Sequence, residues 1–183
     1  MMVYRPAVAD DALAIAHLHA KSWQENYRGA FSDRYLDGEA LNDRQEVWAD
    51  RLRDPLEGQV VLVAEYKGKI IGFACAFMDY DPLFGTLLDN LHVSRELQGK
   101  GVGRQLMSRV AGICSDQCLK QGLFLWVLQQ NEAAHGFYKA CGGEEMETVE
   151  GCDIGDRPIM KVRYHWPEIK SLVVRSSDKN GVK

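Results

Sequence analysis

No run of apolar residues in this chain approaches the ~18 that a membrane-crossing helix needs, and no basic stretch leads into an apolar run at its start. The chain is therefore expected to be soluble and unprocessed, with no membrane partner. Excess positive charge is missing too: 22 basic residues stand against 26 acidic ones, a formal net charge of −4. With no global field to draw nucleic acid or an anionic surface, no nucleic-acid partner is expected, and any anion must be held locally. Cysteines are few and odd in number. Cys75, Cys114, Cys118, Cys141 and Cys152 lie mostly in apolar stretches, which fits reduced thiols and a cytoplasmic location better than a disulfide framework. Cys114 and Cys118 could share a helix face, but no matching Cys or His pair has zinc spacing, so no metal is expected.

What is present suffices for one domain: 183 residues, 46% of them hydrophobic. Val3–Pro6 reads as a short strand, and Asp10 can cap a helix starting near Asp11. In that helix Leu13, Ala16, Ala20, Trp23 and Tyr27 recur at three- and four-residue steps as one apolar stripe, with core packing the plainer role for the two aromatics. Asn42 and Gln45 have capping-box spacing ahead of a second helix that carries Val47, Trp48, Arg51 and Leu52 and stops at Asp54-Pro55. Val60–Glu65 and Ile70–Phe77 form a hairpin around Tyr66-Lys67-Gly68-Lys69, and Thr86–Val93 is the next strand.

After that strand a glycine-punctuated stretch opens a helix whose apolar face holds Leu106, Val110, Ile113 and Cys114. Leu123–Leu128 is a continuous apolar run, typical of a strand buried on both faces. Glu132–Ala140 is a short helix, and Glu144–Val149 and Pro158–Trp166 are the last strands. The chain thus divides into one domain over residues 1–166 and a polar tail over 167–183, with Ser176–Lys183 expected to be disordered. A strand–helix–strand unit between flanking hairpins requires a parallel pair inside an otherwise antiparallel sheet, so the fold class is α/β.

The turn Gln98-Gly99-Lys100-Gly101-Val102-Gly103-Arg104 lies between a strand end and a helix start, where free backbone N–H groups and the helix dipole favour an anion. Three glycines in five residues would let a diphosphate approach the backbone, and Lys100 and Arg104 would add to the field. An ordinary glycine turn with an exposed basic pair explains the same residues. Two commoner phosphate motifs fail. A P-loop needs Gly-Lys-Ser/Thr where this chain has Gly103-Arg104-Gln105, and a dinucleotide fingerprint needs a third glycine where it has Leu106.

Leu91-His92-Val93, then Gln98-x-x-Gly101-x-Gly103, then Asn131-x-x-Ala134-x-x-Phe137-Tyr138 together resemble the GNAT superfamily of acyl-CoA-dependent N-acyltransferases, over nearly the whole chain. The resemblance implies a mixed, largely antiparallel sheet whose central parallel strands splay around the coenzyme, with helices on both faces. It implies acetyl-CoA as acyl donor. Backbone groups of Leu91, His92 and Val93 would meet the pantetheine, Gln98, Gly99, Lys100, Gly101, Val102, Gly103 and Arg104 the pyrophosphate, and Asn131, Ala134, Phe137 and Tyr138 would approach from the following helix. Two departures stand out: Gly143 where the family often has Phe, and Trp126 where some protein N-terminal acetyltransferases carry a carboxylate base.

By the same resemblance the expected reaction is transfer of an acetyl group to a primary amine by direct attack in a ternary complex. The alternative is a non-catalytic acyl-CoA-binding regulatory module. An amine with the lysine pKa of ~10.4 is neutral in only about one molecule in 10³ at pH 7, so a base would be useful. Candidates are His92, placed ahead of Asp89, and Glu25, with a structural role the plainer reading of the first two. Strict alternation puts Asp89 on a face with Leu91 and Val93, and His92 on the other, unless a bulge intervenes. Tyr138 is the better candidate, as a donor to the developing thiolate. The acceptor is a small-molecule amine or a protein amino group; Trp23, Tyr27, Trp48 and Trp126 could wall its site, and Glu25, Asp33 and Asp37 could attract a cation. An exposed final strand could support a homodimer.

Overall fold

The computed structural model describes residues 1–119, 121–152 and 154–174. Seven strands form one sheet in the order β1-β2-β3-β4-β5-β7-β6, in which β1 is Met2–Pro6, β2 Gln59–Tyr66, β3 Lys69–Asp81, β4 Gly85–Val93, β5 Leu123–Leu128, β6 Glu144–Gly151 and β7 Ile159–Trp166. All neighbours are antiparallel except β4 and β5. The helices are α1 (Ala12–Asn26), α2 (Ala40–Arg53), α3 (Val102–Gln117) and α4 (Glu132–Ala140). The expected mixed sheet, parallel pair and crossover helix are all present, because a chain leaving β4 can enter a parallel β5 only by crossing back over the sheet.

Each face of the sheet has its own cover. Leu106, Met107, Val110, Ala111 and Cys114 of α3 pack on Leu123, Leu125, Val127, Val162 and Tyr164, and Phe137 and Tyr138 of α4 join that cluster. On the opposite face Ile15 and Ala16 of α1 and Trp48 of α2 pack on Val63, Phe73 and Cys75. A third cluster, Trp23, Phe31, Tyr35, Leu36, Ala40, Leu128 and Ile159, closes the end of the sheet near β5. The continuous run of β5 is buried throughout except at half-buried Trp126, as expected for a strand covered on both sides.

Some local expectations change. Asp10 does not cap α1; a 3-10 turn at Ala9–Asp11 precedes it, and Asp11 instead accepts the Val8 N–H at 2.8 Å and pairs with Arg5 at 2.7 Å. Leu13 leaves the apolar stripe and is exposed, whereas Ile15 and His19 turn inward. The second helix starts at Ala40, ahead of Asn42, because a π-helical turn at Tyr35–Glu39 feeds directly into it. Residues 167–174, expected within the polar tail, contain a 3-10 turn at Ile169–Leu172 whose Ile169 and Leu172 are buried; the Ile169 N–H bonds Gln121 O and the Val174 N–H bonds Ser108 Oγ. The disorder expected for Ser176–Lys183 lies outside the described residues.

Candidate functional site

The parallel strands hold together at one end only. Thr86 pairs with Leu123 and Leu87 with Phe124, after which no ladder joins β4 to β5. The separation coincides with a bulge in β4. Cys75 of β3 faces Asn90 while the next residue, Ala76, faces Leu88, so Asp89 is the extra residue. The bulge corrects the strict alternation: Leu88 and Leu91 both pack with the α3-side cluster despite their odd spacing, and Asp89 and Asn90 both reach Arg51 on α2. Asp89 thus shares the α1–α2 face with His92.

At the open end of the gap stands the N-terminus of α3. Its N-cap is Gly101, in the left-handed region at φ 80°, where a side chain is strained. Gly101 supplies no capping side chain, so the N–H groups of the first turn remain open to an outside acceptor. Among the described residues a Cβ built at Gly99 or Gly101 meets nothing within 4 Å, which leaves the room that a phosphate group requires. Gln98 Nε2 donates to Val93 O at 3.2 Å and ties the loop to the strand end.

Helix α4 borders the same gap. Asn131 is its N-cap, its side-chain oxygen accepting the Ala134 N–H at 3.1 Å, which leaves the amide nitrogen as what it can offer a ligand. Phe137 packs across Gly103, and the Tyr138 ring lies against Phe137, Tyr164 and Trp166 at centroid distances of 5.1, 6.0 and 6.1 Å. Burial, followed by the nearby Tyr27 and Cys141, holds the Tyr138 phenol well above its ordinary range. Burial and the charge of Asp89 push Tyr27, at the C-terminus of α1, up to about 12. The family departure at Gly143 has a steric reason: a Cβ there would stand 2.5 Å from Trp166 Cζ2.

Across the sheet, His92 Nδ1 is 2.8 Å from Ser22 Oγ, and its ring lies 4.5 Å from that of His19. Burial and then Arg44 push His92 down to about 4, so its imidazole is neutral at pH 7 and a poor proton acceptor. Asp89 is paired with Arg51 at 2.8 Å. Glu25 is exposed on α1. Asp33 and Asp37, expected to attract a cation, are taken by Arg28, whose Nη1 meets them at 2.9 and 3.0 Å. Of the aromatic wall, Trp23 and Tyr27 lie together at 5.6 Å, but Trp48 is fully buried and donates to His19 Nδ1, and Trp126 stacks with Lys161 and Arg163. Sequence reasoning missed Ser22, His19 and Arg44. Arg44, Trp48 and Arg51 recur at steps of four and three on α2, and His19 falls three after Ala16, so helical spacing could have placed them on inward faces.

This arrangement can hold an anion at the α3 N-terminus and an extended chain between β4 and β5, with a protonated phenol beside it. The description "Acetyltransferase (GNAT) family" matches residues 15–142. Two curated relatives are similar over part of the chain. Thialysine N-epsilon-acetyltransferase of Bos taurus is 30% identical over 84 residues, 45% of this chain and 49% of that protein. The L-amino acid N-acyltransferase MnaT of Escherichia coli (strain K12) is 33% identical over 90 residues, 48% and 51% respectively. The chain thus spans about half the length of the curated relatives it matches. In fold it is similar to the PaiA N-acetyltransferase of Thermoplasma acidophilum in complex with coenzyme A, with a TM-score of 0.72 at 19% identity, covering 91% of this chain and 99% of that one. It is likewise similar to YncA of Salmonella typhimurium with acetyl-CoA, with a TM-score of 0.64 at 23% identity, covering 91% and 94%. With the family description matching well over half its length, the chain belongs to the acetyltransferase (GNAT) family.

Proposed function

We propose that the protein transfers an acetyl group from acetyl-CoA to a primary amine, a small molecule or a protein amino group, by direct attack in a ternary complex. The observation that carries this reading is the gap between β4 and β5 opening onto the Gly101-capped end of α3. Residues Gln98 to Arg104 hold the pyrophosphate through free N–H groups and the charges of Lys100 and Arg104. Along Leu91, His92 and Val93 the edge of β4 turned away from β3 has no strand partner and is offered to the pantetheine amides, which complete the sheet as a substitute strand. Asn131, Ala134, Phe137 and Tyr138 line the other side.

In the reaction the amine nitrogen attacks the thioester carbonyl carbon, the carbon–sulfur bond breaks, and the electron pair goes to sulfur. Tyr138, its proton held firmly by burial, donates a hydrogen bond to the developing thiolate. The raised phenol makes complete proton transfer to sulfur still more uphill than the ~2 kcal/mol expected from the reference phenol and thiol values. The nitrogen must lose a proton to become an amide. His92, depressed to about 4, is a poor acceptor and Asp89 is engaged by Arg51, so this proton leaves to water and the two residues shape the site.

Release of free thiol from acetyl-CoA across amino acids, polyamines, aminoglycosides and short peptides tests the assignment. Acceptor-dependent release is expected. Acetyl-CoA binding with no release for any amine would instead identify a non-catalytic acyl-CoA-binding module.

A further inference from the structure

A buried cation with an unpartnered donor lies between α1 and α2, stacked on Trp23. Arg44 is 8% exposed, and its guanidinium carbon sits 4.3 Å from the centre of the Trp23 ring. Arginine carries five N–H donors in a planar fork. Here Nη2 meets Asp43 Oδ2 at 3.2 Å, and among the described residues Nε is buried without a hydrogen-bond partner. Asp43 is a divided counter-charge, since it also accepts the Tyr35 hydroxyl and is itself partly exposed. A buried guanidinium so poorly paired is costly unless something else completes it; stacking on Trp23 offsets only part.

The neighbouring group has the same polarity. Trp48 Nε1–H can only donate, so His19 Nδ1 must accept it at 3.0 Å, and the proton of neutral His19 stands on Nε2. Among the described residues that N–H too is buried without a partner. His19 lies edge-on to Trp23 at 4.8 Å. The two unpartnered groups packed on Trp23 are therefore both donors. Trp23, on which Arg44 lies, touches Tyr27 at the end of α1 at 5.6 Å and His19 at 4.8 Å, and the His19 ring is 4.5 Å from His92 of β4, so these rings carry the contact from Arg44 to β4. Carboxylates that might have drawn a polycation are occupied, Asp33 and Asp37 by Arg28 and Asp89 by Arg51.

We propose that the acceptor amine also bears a carboxylate, as a free amino acid does, and that Arg44 binds it and sets specificity for that class. This rests on the acetyl-transfer reading above. A carboxylate would complete a guanidinium that Asp43 satisfies only in part, and the fork geometry would fix the amine relative to the thioester.

The test measures thiol release from acetyl-CoA with matched acceptors, L-methionine against L-methioninamide and L-phenylalanine against L-phenylalaninamide. In each pair the side chain is kept and the negative charge is removed; because this also lowers the pKa of the neighbouring amine, kcat/KM is compared per neutral amine, from rates measured across pH. The wild-type protein should favour the acids by about tenfold or more in kcat/KM, mainly through KM. In Arg44→Met that ratio should fall towards one, and Arg44→Lys should retain part of it. A wild-type ratio near one overturns the proposal, as does a folded Arg44→Met variant that keeps the preference. If Arg44→Met fails to fold, inhibition of the wild type decides. 4-(Methylthio)butanoate, which has the carboxylate but no amine, should compete with the acceptor while its amide should not; equal inhibition by the two overturns the proposal. Turnover of both acids and amides without preference removes the Arg44 assignment alone, whereas no turnover with any amine removes the enzymatic reading as well.

Discussion

Tyr138 keeps its proton throughout the neutral range because burial, with Tyr27 and Cys141 nearby, raises the phenol above its already high ordinary value. Its value to catalysis would then lie in the O–H it offers. Tyr138→Phe retains the ring contacts with Phe137, Tyr164 and Trp166, so the fold and coenzyme affinity should survive while turnover falls by about 10²-fold, the low end for losing one donor to a developing anion. Steady-state turnover beside calorimetric binding of acetyl-CoA checks this; equal turnover with chemistry rate-limiting would leave Tyr138 a packing residue. The histidines make a second prediction. His92 is held at about 4 in the folded protein against 6.5 when unfolded, and His19 is also strongly depressed. Between those values the unfolded chain binds more protons, so stability is fully present above pH 6.5 and is lost as pH falls towards 4. The melting temperature should drop across that window, and His92→Gln should make the drop shallower. A variant with an unchanged pH dependence would show that His92 titrates normally.

Among the elements, the α3 start and the α4 end carry separable tests. At Gly101 the backbone needs φ 80°, so Gly101→Asn, which tolerates that conformation, controls for strain, while Gly101→Glu adds a negative charge beside the open N–H groups. Acetyl-CoA should bind Gly101→Glu about tenfold or more weaker than Gly101→Asn; equal affinities would remove the loop from the binding site. Helix α4 ends in a Schellman arrangement, with Gly143 N bonded to Tyr138 O and Gly142 N to Lys139 O. Gly143→Ala would drive its methyl into Trp166, and chemical denaturation should show a loss of about 1–3 kcal/mol. A variant as stable as the wild type would mean that Trp166 moves aside freely. The sequence carried the strand–glycine turn–helix order because local spacing and turn chemistry set it. It did not carry the bulge at Asp89, since a bulge depends on how β3 and β4 align across the ladder, and that alignment turned Asp89 towards Arg51.

On the scale of the whole molecule, the order of elements and the parallel pair were legible because apolar runs and turn residues fix each element, and chain connectivity leaves few ways to join them. The ionic partners were not. Arg28 takes Asp33 and Asp37, and Arg44 lies over Trp23, through contacts between α1, α2 and the turn that joins them, and nothing in one sequence states which arginine finds which carboxylate. The buried turn at Ile169–Leu172 escaped notice for a similar reason: it is too short to show a periodic pattern, and its two apolar residues find their core only by packing with α3.

The two-rung junction of β4 and β5 also has a mechanical meaning. The sheet is nearly two separate panels, β1 to β4 and β5 to β7, joined along a seam by Thr86–Leu123 and Leu87–Phe124 and bridged by α3. A ligand lying in the gap would act as stitching, its amides restoring rungs that the protein lacks and coupling the panels into one cooperative unit. Backbone amides of β4 from Leu91 to Val93 that face the seam should therefore exchange with solvent sooner than those of β3 in the free protein, and should slow markedly when acetyl-CoA is added. Hydrogen exchange that is already equally slow without the coenzyme would mean that the panels need no stitch, and that the opening between them is rigid from the start.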